Sequence, residues 1–164
     1  MIKNSDTKSS ASKIVIDQMV FRDLINVYDL GNKLFTSDKW QNLYRFWDEY
    51  EILERFIADE KFSLVARSKK KIIGFAIGTI IEKERNPWTY GYIVWMGVDP
   101  AFVGQGVGKK LLARMTRLFR RQGVKIMIVD TATENKNALR FFQKHKFKES
   151  EGHVFLSKNI GKKS

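Results

Sequence analysis

The run Val103-Gly104-Gln105-Gly106-Val107-Gly108 constrains this chain more tightly than any other segment. It follows a strand-like apolar stretch, residues 90–98 (YGYIVWMGV), and the pair Asp99-Pro100. It precedes an amphipathic helical pattern over residues 108–121. Alternating glycines permit backbone dihedrals that other residues avoid and let a ligand approach the main chain. The free N–H groups at a helix start, together with the helix dipole, favour an anion there. The segment is read as a phosphate-cradling turn between a strand and a helix, with a pyrophosphate as its natural occupant.

The helix that follows has a buried stripe at Leu111, Leu112, Met115, Leu118 and Phe119. Lys110, Arg114, Arg117 and Arg121 form a basic stripe at i, i+4, i+7 and i+11, and no acidic residue lies between Asp99 and Asp130. Lys109, in the first turn, is the cation best placed to reach phosphate. Gly123 sits where a helix closes, and residues 124–130 (VKIMIVD) read as the next strand. A helix between two strands makes them parallel, with a right-handed crossover.

The rest of the chain supplies a mixed sheet. Residues 13–20 have strand composition, and residues 21–35, 38–50 and 50–59 have helical spacing. Residues 62–67 and 72–81 (IIGFAIGTII) read as a hairpin, and residues 82–89 as a polar loop. A helix over 135–146 and two short strands, 147–150 and 153–157, complete the pattern. The predicted fold class is α/β (α+β). Residues 13–158 form a single domain between a disordered polar tail, 1–12, and a basic tail, 159–164.

Composition narrows the function classes. Lys and Arg number 30 against 18 Asp and Glu, a net charge of +12, which favours anionic partners. Cys is absent, so there is no cysteine nucleophile or thiolate metal site, which fits a cytoplasmic, reducing compartment. No metal-ligand constellation is visible. The stretch 72–81 is about half the length of a membrane-spanning helix, so no membrane partner is expected.

Loop spacing separates the phosphate-binding classes. A Walker loop fails, because position 103 is Val and position 110 is Lys. The dinucleotide signature G-x-G-x-x-G is not matched by G-x-G-x-G, and too little chain follows for a doubly wound sheet. Asp130 does end the next strand, where a ribose-binding carboxylate would stand.

The segment from Val98-Asp99-Pro100 through Gly104-Gln105-Gly106-Val107-Gly108-Lys109 resembles motif A of the GNAT superfamily of N-acetyltransferases, Q/R-x-x-G-x-G/A. Asn135 and Ala138, then Phe142, Lys144 and Phe147, resemble that family's N-x-x-A-x-x-x-Y-x-K-x-G-F block. The resemblance implies a mostly antiparallel sheet with a central splayed parallel strand pair. It implies acetyl-CoA or another acyl-CoA as co-substrate. The pyrophosphate would lie on the amides of Val103, Gly104, Gln105, Gly106, Val107, Gly108 and Lys109, and the pantetheine along Met96, Gly97 and Val98. Asn135 would bond the pantetheine arm, and Lys144, or basic residues near the loop, would meet the 3′-phosphate. Three positions depart from the pattern. Val103 stands where the family usually has Gln or Arg, which loses a side-chain contact and not the backbone cradle. Lys146 replaces a Gly, and Phe142 stands where many members carry the Tyr that protonates departing thiolate. Phe142 is kept as a cofactor contact without a proton to give.

The chemistry needs a base for the attacking amine and a donor for the leaving group. Asp130 is the first candidate base, and a Glu stands at the matching place in bacterial enzymes that acetylate ribosomal-protein N-termini. Its other reading is a strand-end carboxylate that caps a turn. Tyr90 and Tyr92 share a face of the central strand, and either can replace the missing Tyr. Glu82 and Glu84 flank the acceptor side, while His145 and His153 read as structural or exposed. The reading is an acyl-CoA-dependent N-acyltransferase acting by direct attack on a primary amine. Its acceptor is a protein N-terminus, a lysine, a polyamine or an amino acid, and a homodimer is compatible with it. The alternatives are a non-catalytic acyl-CoA-binding module and a nucleic-acid- or ribosome-associated basic protein.

Overall fold

A computed structural model of the chain describes residues 13–36, 46–82 and 89–149. The chain divides into two compact units, Met1–Asp130 and Thr131–Ser164. In the first, a sheet runs in the order β1 (Ile14–Gln18), β2 (Ser63–Ser68), β3 (Lys71–Ile81), β4 (Tyr90–Val98) and β5 (Ile126–Val129). Neighbours from β1 to β4 are antiparallel, and β4 and β5 are parallel. The mixed sheet and its one parallel pair are as the sequence pattern implies. The helices are α1 (Leu24–Leu34), α2 (Glu49–Ala58) and α3 (Val107–Arg121).

Several boundaries differ from the sequence reading. No helix runs through residues 46–48; instead Asp48 is extended and caps α2, accepting the Glu51 N–H at 2.7 Å. Strand β5 is shorter than 124–130. Val124 N donates to Phe119 O at 3.2 Å and Gly123 N to Arg120 O at 3.0 Å, closing α3 around a left-handed Gly123. Residues 147–149 form no strand. The expected helix over 38–45, Glu84, His153, the strand 153–157 and both tails lie outside the described residues.

A β-bulge decides what β4 presents on each side. Ile77 pairs with Trp95 and Gly78 with Ile93, so Val94 is the extra residue. Before it, a Cβ at Gly91 would stand 2.5 Å from the Phe119 ring of α3. Beyond it, a Cβ at Gly97 would stand 2.5 Å from Leu34 of α1. Uninterrupted alternation would put both glycines on one face. The bulge therefore sets Tyr92, Trp95 and Gly97 on the α1–α2 side. There Trp95 joins Phe35 and Trp47 at ring separations of 4.9 and 5.2 Å, and its indole donates to Glu51 Oε1 at 3.0 Å.

One buried carboxylate ties the first strand to the helix layer. Asp23 accepts from Arg67 Nη2 at 2.7 Å and from the Val20 N–H at 3.0 Å. Arg67 also reaches Asp17 at 3.3 Å.

The Thr131–Ser164 unit holds α4 (Lys136–Lys144). Asn135 Oδ1 caps it by accepting the Ala138 N–H at 3.1 Å. Its far end closes as α3 does. Lys146 N donates to Gln143 O at 3.0 Å and Phe147 N to Phe142 O at 3.1 Å. Here the left-handed position, φ +69°, is occupied by Lys146 and not by glycine.

Candidate active site

Asp99 fixes the root of the glycine loop. Its N–H donates to Ile73 O at 2.8 Å, its Oδ1 accepts the Ala101 N–H at 3.0 Å, and its Oδ2 accepts from Lys71 Nζ at 2.8 Å. The hydrogen bond from Lys71 holds the Asp99 carboxyl below the usual carboxylate range. Burial opposes that shift, and the Ala101 N–H and the charges of Lys71 and Lys33 reinforce it. Pro100 starts a short 3-10 turn, Pro100–Phe102, and the Lys71 ammonium also lies 5.5 Å from the Phe102 ring centre. The partnership of Lys71 with Asp99 has no signal in sequence spacing, because the two come from different strands.

Beyond that turn, Gly104 and Gly106 take φ of +84° and +81°. A Cβ at either would meet no atom within 4 Å, so these glycines serve backbone conformation beside open space, not packing. Lys110 N makes the first α3 bond, to Gly106 O at 3.0 Å. The N–H groups of Gly106, Val107, Gly108 and Lys109 precede it and have no acceptor within the helix. Val107 is buried, while Val103, Gln105 and Lys109 are exposed and Gly108 is half-buried. The loop presents amides, left-handed glycines and room, which is the donor set a pyrophosphate requires.

The strand before the loop offers a second set of backbone groups. The bond from Asp99 N to Ile73 O sets the phase of the antiparallel ladder, in which bonded and non-bonded pairs alternate. Gly97 and Phe75 are then a bonded pair, which turns the Gly97 groups into β3. Met96 and Val98 turn theirs to the opposite edge. Strand β5 pairs along β4 only as far as Ile93 opposite Val129, so this edge is open among the described residues.

Tyr92 and Asp130, two of the side chains singled out for chemistry, meet. Tyr92 Oη donates to Asp130 Oδ1 at 2.5 Å. The parallel register, Tyr92 beside Ile128, places Asp130 one step past the end of β5 and within reach. Tyr90 stands beside Ile126 and is not joined to Asp130 by a hydrogen bond. Glu82 is exposed at the end of β3. His145 Nδ1 sits 2.8 Å from Phe141 O, a structural contact at the end of α4. Within the Thr131–Ser164 unit, Phe142 is half-buried with Phe141 and Phe147 at 5.1 and 5.2 Å, and Lys144 is exposed in the last turn. Asn135 spends its oxygen on the helix cap and retains amide N–H donors. Among the described residues there is no cluster of His, Asp and Glu able to hold a metal ion, and no helix is long and apolar enough to cross a membrane.

A mixed sheet that opens beside a glycine-rich helix start is the arrangement of the GNAT fold. The sequence model of the acetyltransferase (GNAT) family matches residues 26–147, and the chain belongs to that family. It is an N-acetyltransferase. Aminoglycoside N(6′)-acetyltransferase type 1 of Salmonella typhimurium is 32% identical over 114 residues, covering 68% of this chain and 77% of that protein. Among solved structures, AAC(6′)-Iy with a CoA-S-monomethyl-acetylneamine bisubstrate analogue superposes with a TM-score of 0.71 at 23% identity, covering 91% of this chain and 100% of that one. Arabidopsis thaliana Naa50 with the bisubstrate analogue CoA-Ac-MVNAL superposes at 0.69 and 22% identity, covering 84% and 85%. At those identities the two structures speak for the fold.

Proposed function

We propose that this protein moves the acetyl group of acetyl-CoA to a primary amine, with the Tyr92–Asp130 pair handling the protons. The observation that carries the reading is the 2.5 Å hydrogen bond between those side chains, on the strand whose open edge exposes Met96 and Val98. An incoming ammonium loses a proton to Asp130, directly or through water, and the neutral amine attacks the thioester carbonyl. Backbone N–H groups at the open edge of β4 stabilise the developing oxyanion. As the carbon–sulfur bond breaks, the Tyr92 phenol supplies a proton to the thiolate and regains one from Asp130. The second proton of the attacking nitrogen then passes to the freed Asp130 carboxylate and on to solvent, leaving a neutral amide. Phe142 has no proton to contribute, which leaves this task to the strand pair.

The cofactor lies with its pyrophosphate on the Gly106–Lys109 amides, since the Val103 and Gln105 N–H groups already donate to Pro100 O and Phe102 O at 3.4 and 3.3 Å, and with its pantetheine against Met96 and Val98. Asn135, Phe142 and Lys144 of the Thr131–Ser164 unit are candidate cofactor contacts on the family resemblance alone, and the protein is read as cytoplasmic. The acceptor is a cationic primary amine. The named activity of the Salmonella relative adds an aminosugar amine to the protein N-terminus, lysine, polyamine and amino acid.

Calorimetric titration with acetyl-CoA, followed by a thiol-release assay across an aminoglycoside, spermidine, lysine and short peptides, tests the proposal. Micromolar binding and turnover of at least one amine are expected. Absence of acetyl-CoA binding at millimolar concentration overturns the cofactor reading. Unchanged turnover in Asp130→Asn and Tyr92→Phe overturns the assignment of the pair.

A further inference from the structure

The outer face of α3 is a row of cations without counter-charge among the described residues. Lys110, Arg114, Arg117 and Arg121 follow at three- and four-residue steps, which stacks them in one stripe along about 16 Å of helix. Lys109 and Arg120 flank that stripe. All but the half-buried Arg114 are exposed. Among the described residues none of the six is ion-paired. The ion pairs that do form, Arg55–Glu51, Arg67–Asp17, Arg67–Asp23 and Lys71–Asp99, lie elsewhere. Lys110 reaches only a carbonyl, Ile14 O at 3.3 Å, and the buried Arg114 Nε has no acceptor. Sequence explains the isolation: no acidic residue stands between Asp99 and Asp130.

Such a helix works against itself. Like charges three and four residues apart destabilise it, and cations in its first turn oppose the dipole. A pyrophosphate at the loop answers only the first turn, at Lys109 and Lys110. Arg117, Arg120 and Arg121 stand two to three turns further on.

We propose that this face binds the phosphate backbone of a nucleic acid without reading its sequence. One cation every 5–6 Å or so suits a chain of evenly repeated phosphates better than the irregular carboxylates of a folded protein. The one exposed position between the cations is Ala113, and the next residue past them is the polar Gln122, so no large exposed apolar side chain is available to enter a lipid interface. No exposed aromatic lies on the helix to stack a base, which limits the contact to phosphates.

The test is fluorescence anisotropy of the full chain with a labelled single-stranded RNA oligonucleotide across a salt series. With four phosphate contacts, log affinity falls with log salt at a slope of about −3, a loss of roughly 50-fold between about 50 and 200 mM salt. Arg117→Ala/Arg121→Ala, at exposed positions, halves that slope to roughly −1.4. Acetyl-CoA binding by the same variant, read by calorimetry, stays as in the parent chain, which also reports that it is folded. The proposal is overturned if RNA does not bind at low salt, or if the double variant keeps the parent slope. Tighter binding to phosphatidylserine vesicles than to RNA also overturns it, in favour of a membrane surface.

Discussion

Tyr92 on β4 donates its phenolic proton to Asp130, just past the end of β5, at 2.5 Å. The bond spans the parallel strand pair at the point where the two strands stop pairing. Tyr92→Phe and Asp130→Asn are each expected to lower kcat by about 10²-fold or more, the usual contribution of positioned acid–base groups. The double variant is expected to lose little beyond the worse single one, because the side chains act as a unit. Acetyl-CoA affinity measured by calorimetry should stay near the parent value. Multiplying losses in the double variant would show that the two work separately.

The glycine loop carries its own prediction. Gly104→Ala and Gly106→Ala force a Cβ onto backbones at φ +84° and +81°, at a cost of roughly 1–2 kcal/mol each. Neither Cβ meets a neighbouring atom, so the chain is expected to stay folded while acetyl-CoA binding weakens. Thermal melts with and without acetyl-CoA separate the two effects: the ligand-induced rise in Tm shrinks more than the parent Tm falls.

The Lys71–Asp99 pair gives a pH dependence. The Asp99 carboxyl is held below its ordinary value, so it stabilises the loop at pH above the usual carboxylate range. That stability is lost as pH falls through the lowered folded value. Asp99→Asn should flatten this part of the acid-unfolding curve while keeping acceptor oxygen for the Ala101 N–H. Lys71→Ala should lower acetyl-CoA affinity with little change in kcat. An acid-unfolding curve for Asp99→Asn identical to the parent's would refute the linkage.

Asp23 is almost wholly buried and depends on Arg67 and the Val20 N–H. Arg67→Ala leaves that carboxylate in the interior without its cation, and a loss of about 3–5 kcal/mol is expected in urea unfolding. Replacing both residues by apolar ones of similar volume should recover part of the loss.

Helices α3 and α4 end with the same pair of bonds, but α3 puts Gly123 at the left-handed position and α4 puts Lys146 there. Lys146→Gly is therefore expected to stabilise the helix end by about 1 kcal/mol, and Gly123→Ala to destabilise by roughly 1–2 kcal/mol. Denaturant midpoints read both. A destabilised Lys146→Gly would mean that the lysine side chain makes a contact worth more than the backbone strain.

Elements with a strong local pattern were legible: the apolar run of β3, the stripe of α3 and the glycine-rich turn between β4 and α3. Each is set by a repeat of two or 3.6 residues, or by a dihedral that only glycine adopts cheaply. Of the helix expected across residues 38–50, the described residues 46–48 are not helical, because Asp48 is extended and caps the turn that follows it. Of the strand expected at 147–150, the described residues 147–149 form none, and the Phe147 N–H is spent on closing α4. In both places a side chain or a single N–H, invisible to periodicity, decided the outcome.

By itself the sequence determined the glycine-rich turn between strand and helix, the family and the candidate residues Tyr90, Tyr92 and Asp130. It left two equivalent tyrosines, because alternation along a strand says only that they share a face. Tertiary structure brings Tyr92 to Asp130. The β4–β5 register carries Asp130 to Tyr92 and not to Tyr90, and the extra residue Val94 turns the rest of β4 over, so that Trp95 and Gly97 face α1–α2 while Met96 and Val98 aim their backbone at the open edge. Register and bulges depend on contacts between strands far apart in the chain, and no local pattern of residues encodes them.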